Sequence, residues 1–274
     1  MNNMLRWSGL YGVTLWMTGI AGAVYLLALL VNVRTGWQQR KLLVGSVLVA
    51  SGLIVVALII LIIELGSPLR FWHLLVYPRF YSPLSVGSWV LMGLLGVLAV
   101  TLLLKASPWL PMLSILGAVF ASLTIVYPGV VLHATHRPLW YFTNLLPLIF
   151  TATSFATGAA VLIFIKLIID RSLLSNIYYF SALAAGAGFI LVILFVTTLR
   201  FSQATVANRA YAQLMSGGSG ILFMSAVSVG MIIPMISAWI MRKRPNLPVI
   251  LGTEGLILVG ALLLRLSFIY GGQV

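Results

Sequence analysis

"LLVGSVLVASGLIVVALIILIIE", residues 42–64, carries no charge from Leu42 to Ile63 and closes on a glutamate. About 20 apolar residues in a helix cover the hydrocarbon core of a bilayer. The run is continuous rather than alternating, so it reads as a helix and not as a barrel strand, and a helix satisfies its own backbone in lipid. Runs of the same kind recur along the chain, near 8–33, 42–64, 86–104, 109–132, 144–168, 178–198, 217–241 and 248–270. Mean hydropathy is +1.14 and 7% of residues are charged, against about 25% in soluble chains. The sequence therefore predicts an all-α integral membrane protein with eight transmembrane helices. The first run is too long for a signal-peptide core and reads as a retained first helix. No soluble domain fits between the spans; the longest connections are 65–85 and 197–218.

Sixteen basic residues against three acidic ones give a net charge of +13. They are spread over short loops without a clustered face, which excludes nucleic acid as a partner and leaves membrane lipid. Zero cysteines exclude disulfides, iron–sulfur clusters and covalent c-type haem within this chain. No histidine lies mid-span, so a transmembrane haem has no ligands. His73, His133 and His136 match no common zinc spacing, and no metal site is expected. Loops after the first, third, fifth and seventh spans hold Arg34, Arg40, Lys41, Lys105, Lys166, Arg171 and the "RKR" of 242–244. The opposite loops hold Arg6, Arg70, Arg79, Arg137, Arg200 and Arg209. Basic loops stay cytoplasmic, so both termini are expected on the outer, periplasmic side of the inner membrane.

"ELGSPLRFWHLLVYPRFYSPLSVGSW", residues 64–89, packs Glu64, His73, Arg70, Arg79, three prolines and six aromatic rings into one connection. Polar groups at membrane depth are functional suspects. Glu64 closes the second span, where a carboxyl can exchange protons with a site in the bundle. The alternative is a salt bridge to Arg70 or Arg265. His73 is the next proton acceptor in line. Glu254 and Arg265 lie in the last span, 11 residues and about 16 Å apart, too far to pair with each other, and they mark a proton path. Asp170 has Lys166 and Arg171 as neighbours and reads as an interface anchor.

The fourth span ends "IVYPGVVLHATHRPLWYF", with Pro128 and Gly129 breaking the helix beside Tyr127. Freed backbone and a phenol there suit a cavity for a flat, apolar ligand with two carbonyl oxygens, held by hydroxyl or imidazole donors such as Tyr127 and His133. Trp140 and Tyr141 read as an interfacial belt. Pro128 and Pro234 are expected to kink their spans. "GIAGA" (19–23), "TATSFATGAA" (151–160) and "AAGAG" (184–188) read as tight helix contacts.

The segment 64–89 resembles the D/E-L-G-x-P-x-R-F…S-P-x-S-x-G-x-W signature of the NrfD-like family, the membrane subunits of polysulfide and nitrite reductases. "RPLWYFTNLLPLIFTATSFATGAA" resembles that family's R-P-L-W…S-x-x-x-T-G-A-A stretch, and "LVGALLLRLSFIYGGQ" its closing L-L-R-x-x-x-x-Y-x-G-Q. The resemblance implies two four-helix bundles, 1–143 holding a quinone site and 144–274 forming the second. It implies a subunit that exchanges electrons with a menaquinone or ubiquinone pool and is not an enzyme alone. Its partners would be a ferredoxin-like four-cluster iron–sulfur subunit and a molybdopterin catalytic subunit, which would recognise the terminal substrate. The family's quinone site joins a tyrosine ending the fourth span, here Tyr127, to polar residues of the first. This chain offers Tyr11, Trp16 and Thr18 there, in place of the asparagine and histidine of the polysulfide-reducing members. Arg70 and Arg79 would dock the iron–sulfur partner. A transporter or ion channel, and a purely structural anchor, are the competing readings.

Overall fold

The computed structural model describes residues 7–64, 69, 72–77, 81–104, 109–170, 174–241 and 246–273. In chain order the helices are α1 (Gly9–Arg34), α2 (Arg40–Glu64), the short α3 (His73–Val76), α4 (Pro83–Leu103), α5 (Leu110–His133), the short α6 (Pro138–Tyr141), α7 (Leu145–Ile169), α8 (Leu174–Arg200), α9 (Thr205–Met215), α10 (Gly217–Val227), α11 (Ile233–Ile240) and α12 (Leu247–Gly271). Ser228–Ile232 form a π turn that joins α10 to α11 as one rod. Among the described residues, eight helical segments are long and apolar enough to cross a membrane: α1, α2, α4, α5, α7, α8, α10 through α11, and α12. They coincide with the eight apolar runs.

The third span begins at Pro83, ahead of the expected residue 86. Proline at the first helical positions loses nothing, because the N–H it lacks has no intrahelical partner there. Inside α5, by contrast, Pro128 leaves the Thr124 carbonyl without its helical donor. In the seventh span the expected kink at Pro234 is realised as the π turn just before it. The wider turn makes room for the ring that would crowd the preceding carbonyl.

Burial runs opposite to that of a soluble bundle. On α5 the buried face holds Ser114, Gly117, Ala121 and Thr124, while Met112, Ile115, Leu116, Val119, Leu123, Val126 and Val130 are exposed. Large apolar side chains meet lipid and small or polar ones meet helices. Serine and threonine hydroxyls inside the spans donate back to their own helices, as Thr18 does to Thr14, Ser114 to Leu110 and Thr157 to Thr153. That removes the cost of bare hydroxyls in hydrocarbon.

α1 is the central post. Of its 18-residue apolar stretch 72% is buried, and of that in α7 67%, against 28–44% in the other spans. α1 packs on α2, α5, α7 and α12, and α4 closes against α2 and α5. α7 in turn packs on α8 and α12, and α12 on the α10–α11 rod. The "GIAGA" and "TATSFATGAA" clusters meet each other: a Cβ on Gly158 would collide with the backbone of Ala23 and Val24.

The stretch 197–218, expected as a plain connection, contains α9. Its Ala207, Ala210 and Leu214 are buried, at helical spacing, and it covers α6, α8, α10 and α12. This cover corrects the belt reading of Trp140. The indole is fully buried and donates to the Phe268 carbonyl of α12 at 2.8 Å. Tyr141 is exposed.

Candidate functional site

One end of the molecule gathers the start of α1, the end of α2, the start of α4 and the end of α5. Tyr11, buried in the first turn of α1, and Tyr127, half-buried in α5, bring their phenols within reach of each other. Tyr127 lies against Gly87 of α4, where a Cβ would collide with the hydroxyl edge of its ring. Glycine is what permits this ring to approach that helix so closely. Trp7 stands edge-on to Tyr11 at 4.0 Å and to Trp140 at 5.8 Å. Leu61 of α2 packs into the same apolar cluster. The site thus offers two phenolic hydroxyls, each donor or acceptor, between aromatic and aliphatic walls.

At the rim, the Ser8 hydroxyl donates to Glu64 Oε2 at 2.7 Å and accepts from the Leu10 N–H at 3.1 Å. Ser8 is the N-cap of α1, so one side chain both closes that helix and ties down the exposed carboxylate of α2. The positive end of the α1 dipole faces the same group. Arg265, one of the two expected salt-bridge partners of Glu64, does not reach it. Arg70, the other, lies outside the described residues, as does Arg79.

The remaining candidates divide by place. His73 is exposed on α3, stacked on Trp72 at 3.8 Å and near Tyr77 at 6.0 Å, and α3 packs on α4. His133, six residues beyond Tyr127 and so about 9 Å along the helix, has its Nδ1 3.1 Å from the Trp140 carbonyl. It stacks on Tyr141 at 5.0 Å. Trp16 donates to the Leu258 carbonyl of α12 at 3.1 Å and does not join the tyrosine pair. Thr18 is buried one heptad below Tyr11, bonded to the Thr14 and Leu15 carbonyls.

Glu254 and Arg265 are both fully buried in α12. Ser181 of α8 donates to Glu254 Oε1, while Oε2 has no partner. Arg265 donates from Nη1 to the Ala261 carbonyl at 3.1 Å and from Nη2 to Ser154 at 2.9 Å, and sits 5.1 Å over the Phe150 ring. Its Nε has no partner. Between them, Thr153, Gly230, Ile257, Gly260 and Ala261 line a cavity of about 10 Å³.

Sequence reading missed Ser8, Gly87 and the burial of Lys166, though it had paired Lys166 with Asp170. Ser8 had a signal, since a serine directly before an apolar run marks a helix start. Gly87 is the glycine of the S-P-x-S-x-G-x-W pattern. Lys166, counted as a loop charge, is fully buried within α7 and bridges Asp170 at 2.8 Å and Gln39 at 2.7 Å. Among the described residues no three metal-ligating side chains converge.

The family profile described as "Polysulphide reductase, NrfD" matches residues 1–274. The chain belongs to the NrfD family. Its curated relatives include Protein NrfD of Escherichia coli (strain K12), 27% identical over 98% of this chain and 96% of that protein. The C subunit of polysulfide reductase from Wolinella succinogenes is 24% identical over 99% of this chain and 95% of that one. Both matches run nearly end to end, so all eight spans belong to the shared NrfD architecture rather than to a fused domain.

Proposed function

We propose that this NrfD-family protein is the quinone/quinol-exchanging membrane subunit of a respiratory oxidoreductase complex. It passes electrons between the pool and an iron–sulfur subunit, with a molybdopterin subunit acting on the terminal substrate. The observation that carries this reading is the convergence of Tyr11, Tyr127 and the Ser8–Glu64 pair at one end of α1, α2, α4 and α5. A quinone, menaquinone or ubiquinone, fits that donor set: the ring needs flat apolar walls, and its two oxygens need hydroxyl partners. When bound, it supplies two-electron, two-proton redox chemistry. The chain's own residues supply the rest. Tyr127, seated against Gly87, and Tyr11 orient an oxygen by hydrogen bonding. Glu64 at the rim takes or returns the proton, held in place by Ser8, with His73 on the adjoining α3 as an alternate acceptor. His133 lies further out along α5, toward the mouth.

The segment 64–89 starts at this rim, and Arg70 and Arg79 would hold the iron–sulfur partner over it. On the orientation set by the basic loops, rim, partner and both termini lie on the periplasmic side of the inner membrane. Residues 1–143 form the redox half and 144–274 the supporting half.

The test is Tyr127→Phe in the assembled complex. One lost hydrogen bond to a buried carbonyl is worth about 1–3 kcal/mol, so quinol oxidation should fall roughly 5- to 150-fold with assembly intact. An unchanged rate in a normally assembled complex removes Tyr127 from the site.

A second reading, proton movement through the last spans, is favoured by one observation. Glu254 Oε2 and Arg265 Nε are buried without partners on the same helix, and such groups in a membrane mark ion or proton routes. Glu254→Gln should leave electron transfer in uncoupled vesicles unchanged and lower the protons moved per electron. An unchanged proton ratio would make Glu254 a structural group.

A further inference from the structure

The first, second, third and fourth spans each bury a hydroxyl or amide near the end opposite Tyr127. Tyr25 and Asn32 come from α1, Ser46 from α2, Thr101 from α4 and Ser114 from α5, and none is more than 3% exposed. On α1, Tyr11, Thr18, Tyr25 and Asn32 recur every seventh residue, which keeps them close to one face with a drift of about 20° per heptad. The Tyr25 phenol covers Gly117 of α5 and lies beside Ser114 and Thr101. Those two hydroxyls already donate to the Leu110 and Val97 carbonyls.

Asn32 Nδ2 and Oδ1 and Ser46 Oγ are buried with no hydrogen-bond partner in the protein, and the Tyr25 hydroxyl, beside Ser114 and Thr101, makes no well-aligned bond to either. Burying so many bare polar atoms in one region of an apolar bundle is costly, so their chemistry points to a ligand. The groups are neutral and mix donors with acceptors, which suits water rather than an ion or an apolar tail. The ends of α1 and α4 and the starts of α2 and α5 surround the region, so it lies against the membrane surface.

We propose that this end of the first four spans is a hydrated inlet, in which Tyr25, Asn32 and Ser46 bind exchangeable water admitted from the nearby surface. It brings water to the level of Tyr25, on the face of α1 that leads to Tyr11. The inlet stands apart from the quinone reading, and its test does not use quinol.

The chain has no cysteine, so a single introduced thiol reports its own surroundings. Ser46→Cys replaces one hydroxyl by a thiol, and Ser114→Cys repeats the measurement from α5. Ala57→Cys is the control: it is equally buried on α2 and about as deep from the opposite surface, 11 residues from Ser46. Each full-length variant, in lipid nanodiscs open on both faces, is exposed to silver ion for timed intervals. It is then unfolded, alkylated and weighed. Thiol reactivity follows solvent access, so silver should block Ser46→Cys and Ser114→Cys at least about tenfold faster than Ala57→Cys. Equal rates at all three positions would overturn the inlet, and faster blocking at Ala57→Cys would do the same.

Discussion

Ser8 does two jobs with one oxygen, and they can be separated. Its hydroxyl caps α1 and holds Glu64. Ser8→Ala should lower stability by about 1 kcal/mol, the cost of a lost N-cap. Because the carboxylate remains, quinol turnover should change only a few-fold. Glu64→Gln keeps an oxygen to accept the Ser8 proton but cannot exchange one itself, so turnover should fall about 10²-fold with the fold intact. Thermal unfolding and quinol oxidation measured on both variants decide it. If Glu64→Gln turns over near the wild-type rate across pH, the proton acceptor lies elsewhere. Legibility at this scale was a matter of contrast. A carboxyl closing an apolar span and a phenol beside a Pro-Gly break stand out, so Glu64 and Tyr127 drew attention from the residues alone, whereas Tyr11 came in through the family resemblance. The direction of a side chain is harder to see. Trp16 is five residues past Tyr11, about 140° around the helix, and so faces α12 instead of α5. That rotation follows from helical geometry and was available from the spacing alone.

At the scale of elements, the spans were legible because lipid demands length and continuity, and charged loops punctuate them. What escaped was structure outside the bilayer pattern. α9 is short and carries only Ala207, Ala210 and Leu214 on its buried face, a signal too weak beside the spans. Yet its presence decides the fate of Trp140, which looked like a belt residue and is instead a core one. The π turn at Ser228–Ile232 shows the other kind of limit. Proline at 234 announces a disturbance, but whether the rod bends or widens depends on what packs against it. Here α8 and α12 flank the turn, and widening keeps the rod seated between them.

Across the whole molecule, α1 is the post shared by α2 and α5 on one side and α7 and α12 on another. One of its faces carries Tyr11, Thr18, Tyr25 and Asn32 along the first four spans. Another, through Gly12, Trp16 and Gly19, meets α12 and α7. Position 19 also lies against Ser154 and Arg265, so the buried arginine of α12 is braced directly by the helix that carries Tyr11. Orientation is the remaining large-scale claim. Reporters fused after Gly36 and after Arg244 should both read as cytoplasmic; both reading as periplasmic would invert the protein and move the partner to the other face. The burial of Lys166 takes one charge out of the loop count, and the expectation then leans on Arg34, Arg40, Lys41 and the 242–244 cluster.

Quinone binding at the Tyr11–Tyr127 end is tested by photolabelling the purified, lipid-embedded protein with a quinone that carries a photoreactive ring substituent, followed by peptide mapping. Label is expected at the start of α1 around Tyr11, at the start of α4 around Gly87 and at the end of α5 around Tyr127, displaced by excess unlabelled quinol and weakened by Tyr127→Phe. Displaceable label confined to α8, α10–α11 or α12, with none on those three helix ends, would contradict it.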